Sequence, residues 1–304
     1  MLLLVGASVL GAPFVMLKTA RSGSTWMSSL LEPMVRGQYK REFVHLGETP
    51  STAAALEKRM VSWLLAGDSF GINVKNTPCV DYRKVLLMAQ AARPRTLLFE
   101  RCNVVKHAVS YMRVHLVSEA CGGPHSKPGG CTVLQPHPVD LDLLRNTLAC
   151  TFHRARLARH AFESAPGPKL AIAYESLQRD VGGTLASLSA FLGTMPAAPR
   201  EKGPSKSGSD DLSVVVSNAA QVSAWLAANG SECLHAQFEE RGSQCTPCPS
   251  PWPAEERCDQ ELFRAFHDES DALCALTNRT YAEQLALLAG VARSRATRRL
   301  VEAE

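Results

Sequence analysis

A short segment near the start of the chain combines small side chains, hydroxyl groups and one positive charge. Residues 18–26 read Lys-Thr-Ala-Arg-Ser-Gly-Ser-Thr-Trp. Phosphorylated ligands are bound by backbone N–H groups, hydroxyls and a cation gathered at a helix N-terminus. Gly23 would let the backbone approach such a ligand, and Arg21 would supply a forked charge. The hydroxyl groups belong to Ser22, Ser24 and Thr25. The segment predicts an anion-binding loop, although the same residue types also form ordinary helix caps.

A second group of donors follows an apolar run later in the chain. The run is Thr96-Leu-Leu-Phe99, and Arg101 comes just after it. Ser110 lies nine residues beyond Arg101, within a predicted helix. An arginine can fork onto phosphate oxygens while a serine hydroxyl completes the pocket. Lys106 and Arg113 either assist this second phosphate site or are solvated helical charges.

Together the two segments resemble the phosphosulfate-binding motifs of sulfotransferases that use 3′-phosphoadenosine-5′-phosphosulfate. The Arg-Ser-Gly-Ser loop is similar to that of carbohydrate and bacterial trehalose-type members, and residues 96–111 resemble the 3′-phosphate motif. The resemblance implies that Arg21 and the loop amides hold the 5′-phosphate and the sulfuryl group. It also implies that Arg101 and Ser110 hold the 3′-phosphate. Trp26 either stacks on adenine or packs in the core.

Other landmarks extend the resemblance over roughly residues 13–230 of a single domain at 13–304. Tyr174-Glu-Ser-Leu177 resembles a family turn and Phe191-Leu-Gly193 a family helix end, and both imply structural roles. The Cys- and Pro-rich interval 233–258 matches no motif of the family and is interpreted as an insertion. The resemblance therefore covers the candidate donor site and leaves the C-terminal part unassigned.

Sulfuryl transfer to an alcohol also calls for a general base, because the alcohol pKa is high. Resemblance to the carbohydrate branch favours Glu48 in Leu46-Gly-Glu-Thr-Pro50, with His45 as its rival. Lys75 is a further candidate for facing the sulfuryl group. The predicted reaction transfers a sulfuryl group to a hydroxyl, first of all on a carbohydrate, with tyrosine or a small alcohol open. No metal is implied.

Two other function classes remain as alternatives. A P-loop phosphotransferase or kinase would share the strand, loop and helix order, but it should carry a Lys directly before Ser or Thr and an Asp that binds Mg²⁺. Neither is evident in the sequence. A non-catalytic nucleotide-binding homologue could keep the donor residues without a working base.

The elements that must position these residues alternate between strand and helix, which predicts an α/β fold with a central parallel sheet flanked by helices. The predicted strands are 14–17, 71–75, 96–99 and 170–173. One predicted helix starts near residue 26. The other predicted helices cover 82–92, 104–117, 140–164, 181–192 and 212–229, and further helices are predicted after residue 261. Apolar residues repeat along one face of the helix at 140–164, and its Arg154, Arg156 and Arg159 are placed on the wet side. Residues 121–138 are interpreted as a long functional loop.

Composition limits the partners and the compartment. The chain has 304 residues, 45% of them hydrophobic, and a net charge of +4, which is too weak to indicate nucleic-acid binding. Ten cysteines and the sequons at Asn229 and Asn278 favour disulfides, glycosylation and the secretory or Golgi lumen. Residues 1–17 carry no charge, but they lack a basic start and overlap the first predicted strand. A membrane association stays open, and so does the cytoplasmic alternative.

Overall fold

The computed structural model describes residues 12–19, 22–35, 39–40, 53–73, 80–121, 136–194, 209, 211–241 and 246–251, without the side chains of 53, 54, 73 and 114–121. Over these ranges the strands are β1 (Phe14–Lys18), β2 (Tyr39–Lys40), β3 (Ser69–Asn73), β4 (Arg95–Glu100) and β5 (Lys169–Ala173). The helices up to the end of β5 are α1 (Ser24–Leu31), α2 (Ala53–Leu65), α3 (Tyr82–Met88), α4 (Val104–Cys121) and α5 (Leu141–Ser164). The later helices are α6 (Tyr174–Arg179), α7 (Val181–Leu192), α8 (Leu212–Val215), α9 (Ala219–Asn229) and α10 (Glu232–Glu239).

The strands form one sheet in the order β2-β3-β1-β4-β5, and every pairing between them is parallel. Side chains on successive residues of a strand point to opposite faces. Val15 and Leu17 accordingly pack on one face with α2, α3 and α5, while Phe14 and Met16 pack on the other with α1 and α7. The predicted α/β class with a central parallel sheet flanked by helices is confirmed.

A further apolar cluster lies where α4 and the first half of α5 pack with α8, α9 and α10. Leu144, Leu148 and Phe152 of α5 contribute to it, as the predicted apolar face required. The helix α10 covers the first residues of the interval 233–258, for which the sequence predicts only a Cys- and Pro-rich insertion. This part of the interval therefore belongs to the packed body of the protein.

The predicted helix over 212–229 is wrong, because the chain breaks it into α8 and α9. Val216 pairs with His137 in an isolated parallel bridge. The Asn218 side chain accepts a hydrogen bond from the Val139 N–H at 2.8 Å and donates one to the Val139 carbonyl at 2.9 Å. These contacts with the segment before α5 compete with helical hydrogen bonding at residues 216–218.

Three basic side chains are more buried than the sequence pattern indicated. The helical pattern predicts Arg154 on the wet side of α5, but Arg154 is buried, with its guanidinium 5.4 Å from the centre of the Tyr111 ring. Lys106 and Arg113 of α4 are buried as well, so interpreting them as solvated charges was wrong. Arg156 and Arg159 are exposed as predicted. The helices α4 and α5 pack against each other, and Arg154 of α5 is buried over Tyr111 of α4.

Several local predictions are confirmed closely. The helix predicted over 140–164 forms as α5, and Asp140 caps it by accepting the Leu143 N–H at 2.7 Å. Gly193 ends α7 with a left-handed backbone, φ 65°, as expected of a glycine C-cap. The segment from Tyr174 to Leu177 is helical and opens α6, whereas the sequence reading made it a turn. The strand β2 and the helix α2 were not predicted. None of the helices in the described ranges has the length and apolar character needed to cross a membrane.

The helix α5 contains a histidine that should make the protein sensitive to acid. Burial and the nearby Arg156 and Arg154 lower the pKa of His153 from 6.5 to about 4. Between these two values the unfolded chain binds a proton that the folded chain does not, so stability falls as the pH falls. We expect wild type to lose about 2 kcal/mol between pH 7 and pH 5 through this group. Urea denaturation of His153→Gln should show a smaller loss, with His160→Gln on the same helix as the control. An equal loss in both variants would contradict the assignment.

Candidate functional site

The two predicted donor segments follow neighbouring strands. In the register of the β1–β4 pair, Lys18 lies beside Phe99, so the loops after these strands leave the same edge of the sheet side by side. The helix α1 then packs on one face of the sheet, while α5, which follows α4, packs on the opposite face. Ligands of open α/β sheets bind in the crevice at such a reversal, beyond the carboxyl ends of the strands.

The loop after β1 is a tight turn that leads into α1. The Ser22 N–H and the Ser22 hydroxyl both donate to the Thr19 carbonyl, at 3.4 and 2.7 Å. Gly23 has a left-handed backbone, φ 82°, and its carbonyl accepts the N–H groups of Trp26 and Met27. The first N–H groups of a helix have no partner within the helix. The amides of residues 24 and 25 are therefore directed out of the N-terminus of α1, at the carboxyl edge of β1.

Gly23 lies against an aromatic ring for which the sequence predicts only a structural role. A Cβ atom on Gly23 would overlap the ring of Tyr174, so no other residue fits there without displacement. The Trp26 ring meets the same Tyr174 ring edge to face, with their centres 6.0 Å apart. Tyr174 is buried and follows β5 directly. One face of the loop is thus formed by a residue about 150 positions further along the chain.

The loop after β4 contacts the same tyrosine. The Arg101 guanidinium lies 5.1 Å from the centre of the Tyr174 ring, so Tyr174 stands between the two donor segments. Only 12% of the Arg101 side chain is exposed, and its Nε has no hydrogen-bond partner among the described residues. The Glu175 carboxylate lies close by, with its Oε1 3.9 Å from that Nε. A buried guanidinium nitrogen without an acceptor fits a site for an anionic group.

Glu175 holds the backbone of the Arg101 loop. Its two carboxylate oxygens accept the N–H groups of Cys102 and Asn103, at 2.9 and 3.0 Å. Asn103 in turn accepts the Lys106 N–H at 2.8 Å through its side chain and so caps the first turn of α4. From the sequence, Glu175 is predicted only to belong to a structural landmark. Its partners lie more than 70 residues earlier in the chain, so no local signal could have found them.

Removing the Glu175 carboxylate should destabilise the protein strongly. In Glu175→Ala two backbone N–H groups in a largely buried loop lose their acceptor, which should lower the free energy of unfolding by about 2–4 kcal/mol. Glu175→Gln keeps one acceptor oxygen and should fall between this variant and wild type. Glu163→Ala, at an exposed position of α5, is the control. Urea denaturation with an unchanged m-value measures the difference. Equal stability of Glu175→Ala and Glu163→Ala would contradict the role.

The remaining predicted residues are placed as follows. Ser24 is buried, Thr25 is exposed and Trp26 is half-buried. Ser110 is half-buried on α4, about 9 Å along the helix axis from Val104. Lys106 and Arg113 lie on the same face of α4 as Ser110, since Lys106 is four residues before Ser110 and Arg113 three residues after it. Arg21, His45, Glu48 and Lys75 lie outside the described residues, as does most of the predicted loop at 121–138.

The cysteine prediction is confirmed in part. Cys233 and Cys248 form a disulfide across 15 residues of sequence, and Cys102 and Cys150 are disulfide-bonded as well. Across the described residues no cluster of three potential metal ligands occurs, and the absence of a metal stays a prediction.

Comparisons with known proteins add one similarity of fold. Among solved structures, the chain is similar to the crystal structure of mouse sulfotransferase SULT7A1 complexed with PAP. The sequences are 12% identical, the match covers 88% of this chain and 89% of that chain, and the TM-score is 0.38. No protein-family model matches the chain, and no curated protein does. A likeness at this level of identity and TM-score says nothing about what the chain binds.

Proposed function

We propose that the chain is a sulfotransferase that moves a sulfuryl group from 3′-phosphoadenosine-5′-phosphosulfate to a hydroxyl group of an acceptor. The observation that carries the proposal is the position of Tyr174 between the Gly23 loop and Arg101. The donor has two anionic ends, the 5′-phosphosulfate and the 3′-phosphate, so its site needs two separate groups of donors. The adjacent ends of β1 and β4 offer two such groups.

The 5′-phosphosulfate is assigned to the loop after β1. The amides of Ser24 and Thr25 and the dipole of α1 favour an anion there, and the glycine at position 23 keeps the backbone close to the site. The Ser22 hydroxyl is occupied inside the loop, so its contribution would come through the backbone. Arg21 is proposed to hold the transferring group, and Trp26 to contact the adenine ring.

The 3′-phosphate is assigned to Arg101, with Ser110 completing the pocket. A guanidinium whose buried Nε has no hydrogen-bond partner within the described ranges can donate to a phosphate oxygen without first breaking such a bond. The Glu175 carboxylate, engaged by two backbone N–H groups, keeps the loop in place. This division agrees with the two motifs in the sequence.

In the proposed reaction the acceptor oxygen attacks the sulfur atom. A new S–O bond forms, the bond between sulfur and the 5′-phosphate oxygen breaks, and the acceptor proton passes to a base. Glu48 is proposed as that base and a carbohydrate hydroxyl as the acceptor, with tyrosine or a small alcohol as the alternatives. The disulfide favours an oxidising compartment, in keeping with a glycan substrate.

Calorimetric titration of the full chain tests the proposal. The ligands are 3′-phosphoadenosine 5′-phosphate, which is the desulfated donor, and adenosine 5′-phosphate, which lacks the 3′-phosphate. The proposal expects clear binding of the first and a preference over the second of at least tenfold, because two charged hydrogen bonds distinguish them. A folded chain that binds neither nucleotide, or both equally, would show that the proposed donor is wrong.

A further inference from the structure

The backbone just after Arg101 is bonded to a helix more than 130 residues away. The side-chain oxygen of Gln237, on α10, accepts the Val104 N–H at 2.9 Å, and its Nε2 donates to the Cys102 carbonyl at 3.3 Å. The Asn103 side chain donates to the backbone carbonyl of Gln237 at 2.8 Å and to Glu240 at 3.1 Å. Gln237 is buried. The loop and α10 therefore hold each other by both backbone and side-chain groups.

The helix α10 is itself fixed by contacts with the segment around 246–248 and by its own cap. Its residue Cys233 is joined by the disulfide to Cys248, and Nε2 of Gln237 also donates to the Thr246 carbonyl at 2.8 Å. Ser231 caps the helix by accepting the Leu234 N–H. The disulfide and this hydrogen bond therefore both hold the segment around 246–248 against α10. This segment and α10 both come from the part of the sequence that resembles no known motif.

One carboxylate and one amide side chain thus hold different groups of the same three-residue backbone. Glu175 accepts the N–H groups of Cys102 and Asn103, while Gln237 engages the Cys102 carbonyl and the Val104 N–H. A shift of the Arg101 loop would break hydrogen bonds on one side or the other. Since each such bond within a low-dielectric interior is costly to leave unmade, the loop has a single favoured position.

We propose that Gln237 is a positioning residue for Arg101, so that α10 and its disulfide set how well the chain holds the 3′-phosphate of its nucleotide. The inference rests on the proposed function, which assigns that phosphate to Arg101. It predicts that Gln237 affects binding of the 3′-phosphate and leaves binding of the 5′ end unaffected, because Gln237 is hydrogen-bonded to the loop after β4, which carries Arg101. Gln237 itself does not touch the ligand in this assignment.

The test compares Gln237→Met with wild type in the full chain. Methionine keeps the length of the side chain and removes its hydrogen bonds. Calorimetry with 3′-phosphoadenosine 5′-phosphate and with adenosine 5′-phosphate measures the ratio of the two affinities. We expect this ratio to fall about tenfold, with the affinity for adenosine 5′-phosphate unchanged. Gln221→Met, the same change at an exposed position of α9, should leave the ratio within about twofold of wild type.

The outcomes separate the inference from the proposed function. If wild type shows no preference for the 3′-phosphorylated nucleotide, the proposed function fails and the inference falls with it. If wild type has the preference and folded Gln237→Met keeps it, the inference alone is overturned. If the role of Gln237 is purely structural, Gln237→Met should bind both nucleotides more weakly by the same factor. That result would also overturn the inference.

Hydrogen exchange of wild type provides a second measurement that does not depend on a folded variant. Coupling between two sites is reciprocal, so a nucleotide whose 3′-phosphate orders the Arg101 loop must also stabilise α10. We expect slower amide exchange over 234–239 with 3′-phosphoadenosine 5′-phosphate than with adenosine 5′-phosphate at matched saturation. Equal exchange with the two nucleotides would overturn the inference.

Discussion

Replacing Arg101 with alanine should lower the affinity for 3′-phosphoadenosine 5′-phosphate by about 100-fold, as expected for the loss of charge-assisted hydrogen bonds to a phosphate. The guanidinium is mostly buried beside Tyr174, and its Nε has no hydrogen-bond partner in the described part of the chain. When the 3′-phosphate binds, the Arg101 Nε therefore gains a hydrogen bond without losing one to the protein. The affinity for adenosine 5′-phosphate should change little, and calorimetry with both nucleotides measures the difference.

A nearby arginine is a matched control for this variant. Arg159 makes two hydrogen bonds to Glu100, next to Arg101 in sequence, but about half of its side chain is exposed. Arg159→Ala therefore removes a positive charge from the same region without touching the candidate site. Glu175 keeps both backbone donors in Arg101→Ala, so the loop should stay folded. If Arg101→Ala and Arg159→Ala bind the 3′-phosphorylated nucleotide equally well, Arg101 does not hold the phosphate.

Replacing Gly23 with alanine should reduce both stability and nucleotide binding. The new methyl group would overlap the Tyr174 ring, and the backbone at φ 82° is one that residues with a Cβ rarely adopt. We expect a loss of about 3 kcal/mol or more in the free energy of unfolding, from the left-handed backbone and the crowding together. Both nucleotides should bind at least tenfold more weakly, since the loop after β1 must move.

Gly67 separates the two causes of that loss. Its φ of 86° is nearly the same, but no described residue lies within 4 Å of the position a Cβ would take. Gly67→Ala should therefore lose only the backbone part, about 1 kcal/mol, and should bind nucleotide like wild type. Urea denaturation and calorimetry on both variants provide the comparison. Equal losses in Gly23→Ala and Gly67→Ala would mean that the contact with Tyr174 has no effect.

The sequence by itself determined the elements whose signals are local. The apolar run at 14–17, the run at 96–99 and the helix at 140–164 all formed where they were predicted, within a few residues. Their periodicity and end signals depend on neighbours a few positions away, which any stretch of the chain carries with it. The same holds for the Ser-Gly-Ser loop and for Arg101, since both directly follow strands that the local pattern predicts.

Only the tertiary structure decided which groups meet. Tyr174 joins the loop at Gly23 to Arg101, and Glu175 and Gln237 hold the backbone of 102–104 from 73 and more than 130 residues away. Packing likewise buried Arg154 and broke the helix predicted at 212–229. A hydrogen bond between distant segments depends on how layers stack and on which helix faces they cover. Neither is written in the spacing of neighbouring residues.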